Sequence, residues 1–84
     1  MHVHNIKSTV RRLFPCESMS EAIYTRIKTA ISRGEMPEFE EIVCNCESTE
    51  HKKSCDMDAA CIKFRLEESG VLDECRHMIA SGCV

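Results

Sequence analysis

Apolar residues recur at helical spacing through most of this chain. Ile6, Val10, Leu13 and Phe14 fall on one stripe of residues 5–14, which predicts a short helix begun by Asn5 and closed by Pro15, a residue that cannot continue it. Ser18 and Glu21 then stand at capping-box spacing, in which each side chain takes up the other residue's free backbone N–H. Behind them Ile23, Ile27, Ala30 and Ile31 share one face. This predicts a second helix running to about Arg33, whose charge suits the negative helix end, with Gly34 placed for a left-handed cap.

The second half is less regular. Residues 35–43 are acidic with Phe39, Ile42 and Val43 apolar, a pattern that fits a third short helix after Pro37 or an extended lead-in equally well. Residues 45–54, NCESTEHKKS, have no apolar periodicity and read as a loop. A helix capped by Ser54 or Asp56 follows, reaching Ser69 and stopped by Gly70, with Met57, Ala60, Cys61 and Phe64 as the expected inward face. The last helix spans about 72–80, with Leu72, Cys75, Met78 and Ile79 on its buried side and Gly82 past its end. No stretch reads as a convincing strand. The expected fold is all-α: one small domain over residues 1–84, with four to five short helices and a Cys-rich central loop stapled by a metal.

Charge divides that domain. Residues 1–33 carry six Lys and Arg against two Glu, and residues 34–84 carry five against twelve Asp and Glu, giving +4 and −7. A basic helical hairpin (1–34) thus precedes an acidic Cys-rich part (35–84). Any phosphate contact is expected on the first half, through Arg11, Arg12, Arg26 and Lys28, because an acidic surface repels nucleic acid. Docking or simple solvation of the two halves explains the same asymmetry.

Length changes the meaning of the cysteines. A chain of 84 residues buries only about two thirds of the surface it exposes when unfolded, so metals or disulfides often supply the missing stability. Apolar runs are too short for a membrane span, and the opening MHVHNI lacks the charged start and apolar core of a secretory signal. The expected location is the cytoplasm, where thiols stay reduced and clustered cysteines serve metals rather than disulfides. Seven cysteines also cannot all pair within one chain.

Four of the seven crowd into residues 44–61. Cys44-Asn45-Cys46 is a close pair, and Cys55 and Cys61 form a second. Short spacings converge two sulfurs on one ion at modest chain entropy. The second pair converges only if Cys55 precedes the regular helix, since Cys61 otherwise lies a turn and a half away. His51, in the loop between them, is a substitute ligand for a Cys3His site. Zinc is the expected metal. Cys16, Cys75 and Cys83 read instead as small buried hydrophobes.

Residues 55–66, CDMDAACIKFRL, resemble the Cys-x5-Cys segment of WhiB-type iron–sulfur proteins, which continues with aliphatic, aromatic and Leu positions as Ile62, Phe64 and Leu66 do here. Members of that family are small helical regulators that hold a [4Fe–4S] cluster and bind a sigma factor. The resemblance implies Cys55 and Cys61 as two ligands, Cys44 or Cys46 as a third and Cys16 as a distant first. The chain departs from the family in having Cys46-x8-Cys55 in place of a Cys-x-x-Cys, no Trp for the tryptophan-glycine turn and no basic tail. Residues 22–34, AIYTRIKTAISRG, are similar to the opening helix of GntR-type winged-helix repressors, without the strands and recognition helix that should follow.

No phosphate-binding glycine loop, Gly-x-Ser-x-Gly elbow or His-Glu-x-x-His is present, and the carboxylate pairs Glu40-Glu41, Glu67-Glu68 and Asp73-Glu74 diverge by about 100° on a helix. An enzyme is not expected. The expectation is a small intracellular zinc-binding regulator or inhibitor, of the kind carried by phages and mobile elements, acting on a protein partner and away from membranes. The alternatives are a WhiB-like iron–sulfur redox regulator and a nucleic-acid-binding module using the basic helices. Five Met and few aromatics fit a homodimer that completes a soft core and a monomer alike.

Overall fold

The computed structural model describes residues 3–42 and 58–82. Among them are four helices and no strand: α1 (Val3–Leu13), α2 (Glu17–Ser32), α3 (Ala59–Glu68) and α4 (Val71–Ser81). The all-helical expectation holds for these residues.

Helix α1 begins two residues before Asn5, which therefore sits inside the helix and not at its cap. Its stripe is the expected one. Ile6, Val10 and the following Phe14 are buried, while Leu13 is half-buried at the core's edge. Helix α2 also starts early. Cys16 takes the N-cap position with extended backbone (φ −66°, ψ 119°), so Ser18 lies in the first turn of the helix and not at its cap. The cause is the break after α1: Phe14 to Cys16 turns the chain and Glu17 supplies the first-turn acid that the helix dipole favours.

The far end of α2 follows the sequence closely. Gly34 adopts φ +72°, its N–H bonds the Ile31 carbonyl at 2.9 Å, and the Glu35 N–H bonds that of Ala30 at 2.9 Å. This pair of bonds is the Schellman arrangement, which satisfies two carbonyls that the helix end leaves open. Met19, Ile23, Ile27 and Ile31 form the buried face of α2. Each such side chain contributes about 1.5–3 kcal/mol on burial.

Beyond Gly34, residues 35–42 form no helix and make a turn at Glu40 and Glu41; over this span the chain is a lead-in and not the third short helix. Pro37, Phe39 and Ile42 are buried. The Arg26 guanidinium of α2 fixes the segment by donating to the carbonyls of Glu38 (3.1 Å) and Glu40 (2.9 Å). Glu41 has φ +64°, a conformation that L-residues other than Asn, Asp and His seldom adopt.

Helices α3 and α4 form a hairpin across Ser69 and Gly70, whose φ of +86° makes the reversal. Arg76 of α4 ties the two, reaching Glu67 at 3.2 Å and also pairing with Asp73. The expected face of α4 is buried at Leu72, Cys75 and Met78, with Val71 added and Ile79 half-exposed.

The expected inward face of α3 is wrong. Ile62 and Leu66 are fully buried, Ala59 packs beside them, and Ala60, Cys61 and Phe64 are exposed. Met57 lies outside the described residues. The reason is angular: two steps of about 100° separate Phe64 from Ile62 on one side and Leu66 on the other, so both aliphatic residues oppose it. The short turn into α4 then presents the Ile62–Leu66 stripe to Val71, Leu72 and Cys75. Helix α1 packs on α2 and touches both α3 and α4, and α2 also meets α4. All four helices feed one apolar cluster.

Candidate functional site

The four-cysteine site rests on residues that fall mostly outside this description. Cys44, Cys46, His51 and Cys55 lie beyond the described residues, and Cys61 lies within them. Among the described residues no group of three or more His, Cys, Asp or Glu side chains is arranged to hold a metal ion.

Cys61 itself is informative. It occupies the first turn of α3, where the Asp58 carboxylate caps the helix by accepting from the Cys61 backbone N–H at 2.8 Å. That bond holds the Asp58 carboxyl below its ordinary range. The same carboxylate, through a hydrogen bond to the thiol and through its charge, pushes the Cys61 thiol up. Helix α3 starts at Ala59, and Cys55 lies outside the described residues.

Two other cysteines behave as expected from composition. Cys16 and Cys75 are buried in the apolar cluster, and burial raises the Cys75 thiol to about 11. Cys83 lies outside the described residues.

The basic residues of the first half are engaged at home. Arg11 approaches Glu17 at 3.6 Å, Arg12 donates to the Thr9 hydroxyl at 3.4 Å, and Arg26 holds the two carbonyls named above. Lys28 stands 5.2 Å from the Tyr24 ring centre, and Lys7 of α1 stands 5.6 Å from it, within the range of cation–π attraction. Lys7 and Tyr24 were not among the residues singled out from sequence; their pairing depends on how α1 and α2 dock.

The feature that sequence reading inverted is the outer face of α3. Phe64 is 64% exposed, the most exposed large apolar side chain among those described, and the exposed Ala60 and Cys61 precede it by one turn. Next to Ala60 a cleft of about 360 Å³ separates α3 from the lead-in segment, walled by Pro37 and Phe39 on one side and Ala59 and Ala60 on the other. A second cleft of about 390 Å³, which Glu38 also lines, lies between α2 and that segment, beside Arg33 and Met36.

Compared with protein families, curated proteins and solved structures, the chain matches none.

Proposed function

We propose that this chain is a small regulator or inhibitor that works by binding another protein, with residues 44–61 stapled by one zinc ion on Cys44, Cys46, Cys55 and Cys61 and with His51 as substitute ligand. The observation that carries the binding half is Phe64. A phenyl ring exposed to this degree on a helix of a small domain gains by being covered, and aromatic side chains anchor protein interfaces. The engagement of Arg11 and Arg26 in contacts within the chain weighs against the basic helices as a nucleic-acid surface.

What supports the metal is the chemistry of the donor set. Four thiolates, or three and an imidazole, close a tetrahedral zinc shell and leave no position for activating water, so such an ion would fold the loop rather than react. Cys61, exposed at the start of α3, is available to it.

Metal content and the visible spectrum of anaerobically purified protein test the staple. About one zinc per chain, with thiols protected and helicity falling on chelation, is the expected result. Iron and sulfide with broad visible absorbance would replace it with the WhiB-like redox reading, and a metal-free, fully folded protein would remove the staple. For the binding half, retention of a protein partner at high salt is expected. Tight association with duplex DNA or RNA that falls steeply with salt would overturn it.

A further inference from the structure

The outer face of α3 and the cleft beside it form one surface with a readable preference. Ala60 belongs to both: it lines the cleft and stands one turn before Phe64. The cleft has apolar walls from Pro37, Phe39, Ala59 and Ala60, and among the described residues its charged groups are Glu38, Glu40 and Lys63. Segment 35–42 as a whole carries four Glu and no Lys or Arg. Its backbone is already fixed by Arg26, so its carboxylates are presented on a positioned strand of chain.

We infer that this surface is a docking site for a basic amphipathic segment of another protein, which sets an aliphatic or aromatic side chain in the cleft, packs against Phe64 and directs Lys or Arg to Glu38 and Glu40. The inference rests on the protein-binding reading above and names its surface and partner chemistry. Charge complementarity selects this occupant: a cationic segment is drawn to the acidic rim, and an acidic one is repelled. A second copy of the chain fits less well. The exposed Phe64 and Ala60 beside the cleft offer far less than the ~800 Å² per partner of a standard stable interface, whereas a short segment inserting one side chain needs only such a surface. Helical segments recognise partners through anchors at i, i+3 and i+4, a spacing that would let one anchor enter the cleft and the next meet Phe64.

The test is selection of a displayed random peptide library on the immobilised full-length protein, followed by titration of the enriched peptides. Three variants, Phe64→Asp, Glu38→Gln/Glu40→Gln and Arg33→Gln as a control at the second cleft, are first matched to the wild type by circular dichroism. Enrichment of peptides pairing Lys or Arg with an apolar anchor is expected. Affinity should fall about thirtyfold or more for Phe64→Asp, as for a buried aromatic hot spot, and about three- to tenfold for the double Glu variant, with a weaker salt dependence. Arg33→Gln should change little. Peptides that bind equally well to Phe64→Asp and to the double variant would overturn the assignment of the surface while leaving protein binding in place. Failure to enrich any peptide, together with salt-sensitive binding of nucleic acid, would overturn both. Sedimentation analysis supplies the remaining outcome: a dimer that Phe64→Asp dissociates assigns this face to a second copy and removes the inferred partner.

Discussion

Arg26 and Glu40 are joined across fourteen residues, the guanidinium Nη2 donating to the Glu40 carbonyl at 2.9 Å. With its second bond to Glu38, Arg26 sutures the lead-in segment to α2. The planar, forked donor reaches two carbonyls at once, which a lysine ammonium does less well. Arg26→Ala is expected to lower stability by about 1 kcal/mol, with Arg26→Lys closer to Ala than to the wild type. Hydrogen exchange should rise over residues 35–42 in both while the centre of α2 keeps its protection. Unchanged exchange there would show that Phe39 and Ile42 hold the segment without help.

The two faces of α3 separate cleanly by substitution. Ile62 is fully buried and Phe64 largely exposed. Ile62→Ala should cost about 2–4 kcal/mol through lost burial and the cavity left behind, and Phe64→Ala less than about 0.5 kcal/mol. Chemical denaturation measures both. Comparable losses at the two positions would restore the inward Phe64 that sequence periodicity had favoured.

Asp58 supplies a dependence on acid. Its carboxyl is held below the ordinary range chiefly by the Cys61 backbone N–H, so the folded state binds its proton less readily than the unfolded chain. The stabilisation is complete above the ordinary carboxyl range and disappears as pH falls through the lowered folded value. Asp58→Ala should therefore be less stable than the wild type at neutral pH, and the two thermal midpoints should converge in acid. A constant gap down to the lowest pH at which both fold would rule out the ionised cap as its source.

Cys75 supplies the opposite sign. Burial raises its thiol to about 11, so between the ordinary thiol range near 9 and that value the folded state holds a proton that the unfolded chain releases. Stability linked to Cys75 is complete below about pH 9 and declines above it, by up to about 1.4 kcal/mol for each pH unit. The wild type should lose stability across pH 9–11 more steeply than Cys75→Ala. The same burial predicts that Cys75 resists alkylation in the folded protein while Cys61, at the surface, reacts; mass spectrometry of the labelled peptides distinguishes them.

Most of the helical architecture was legible because α1, α2 and α4 each carry one apolar stripe. Ile6 and Val10, then Ile23, Ile27 and Ile31, then Leu72, Cys75 and Met78 have no competing face. Gly34 was legible as a left-handed cap and Gly70 as a helix stop. Helix α3 was not, because Cys61 with Phe64 and Ile62 with Leu66 offer two apolar stripes in ten residues, and only the turn into α4 decides between them. The start of α2 was misread for another reason: Ser18 had the right chemistry for a cap, but the cap is set by where α1 lets the chain turn. The role of Arg26 was invisible in sequence because its partners are backbone carbonyls, which carry no residue signature. Of the proposed metal ligands, Cys61 alone falls among the described residues.

Phe64 and the pair Ile62 and Leu66 are opposite sides of the same turns of helix, with no intervening layer. A partner that gripped the ring would hold in place the residues on which the apolar cluster closes. Occupancy of the outer surface and resistance to melting would then be two readings of one equilibrium. Such a partner would reveal itself by raising the melting temperature before its binding had been measured by any other means.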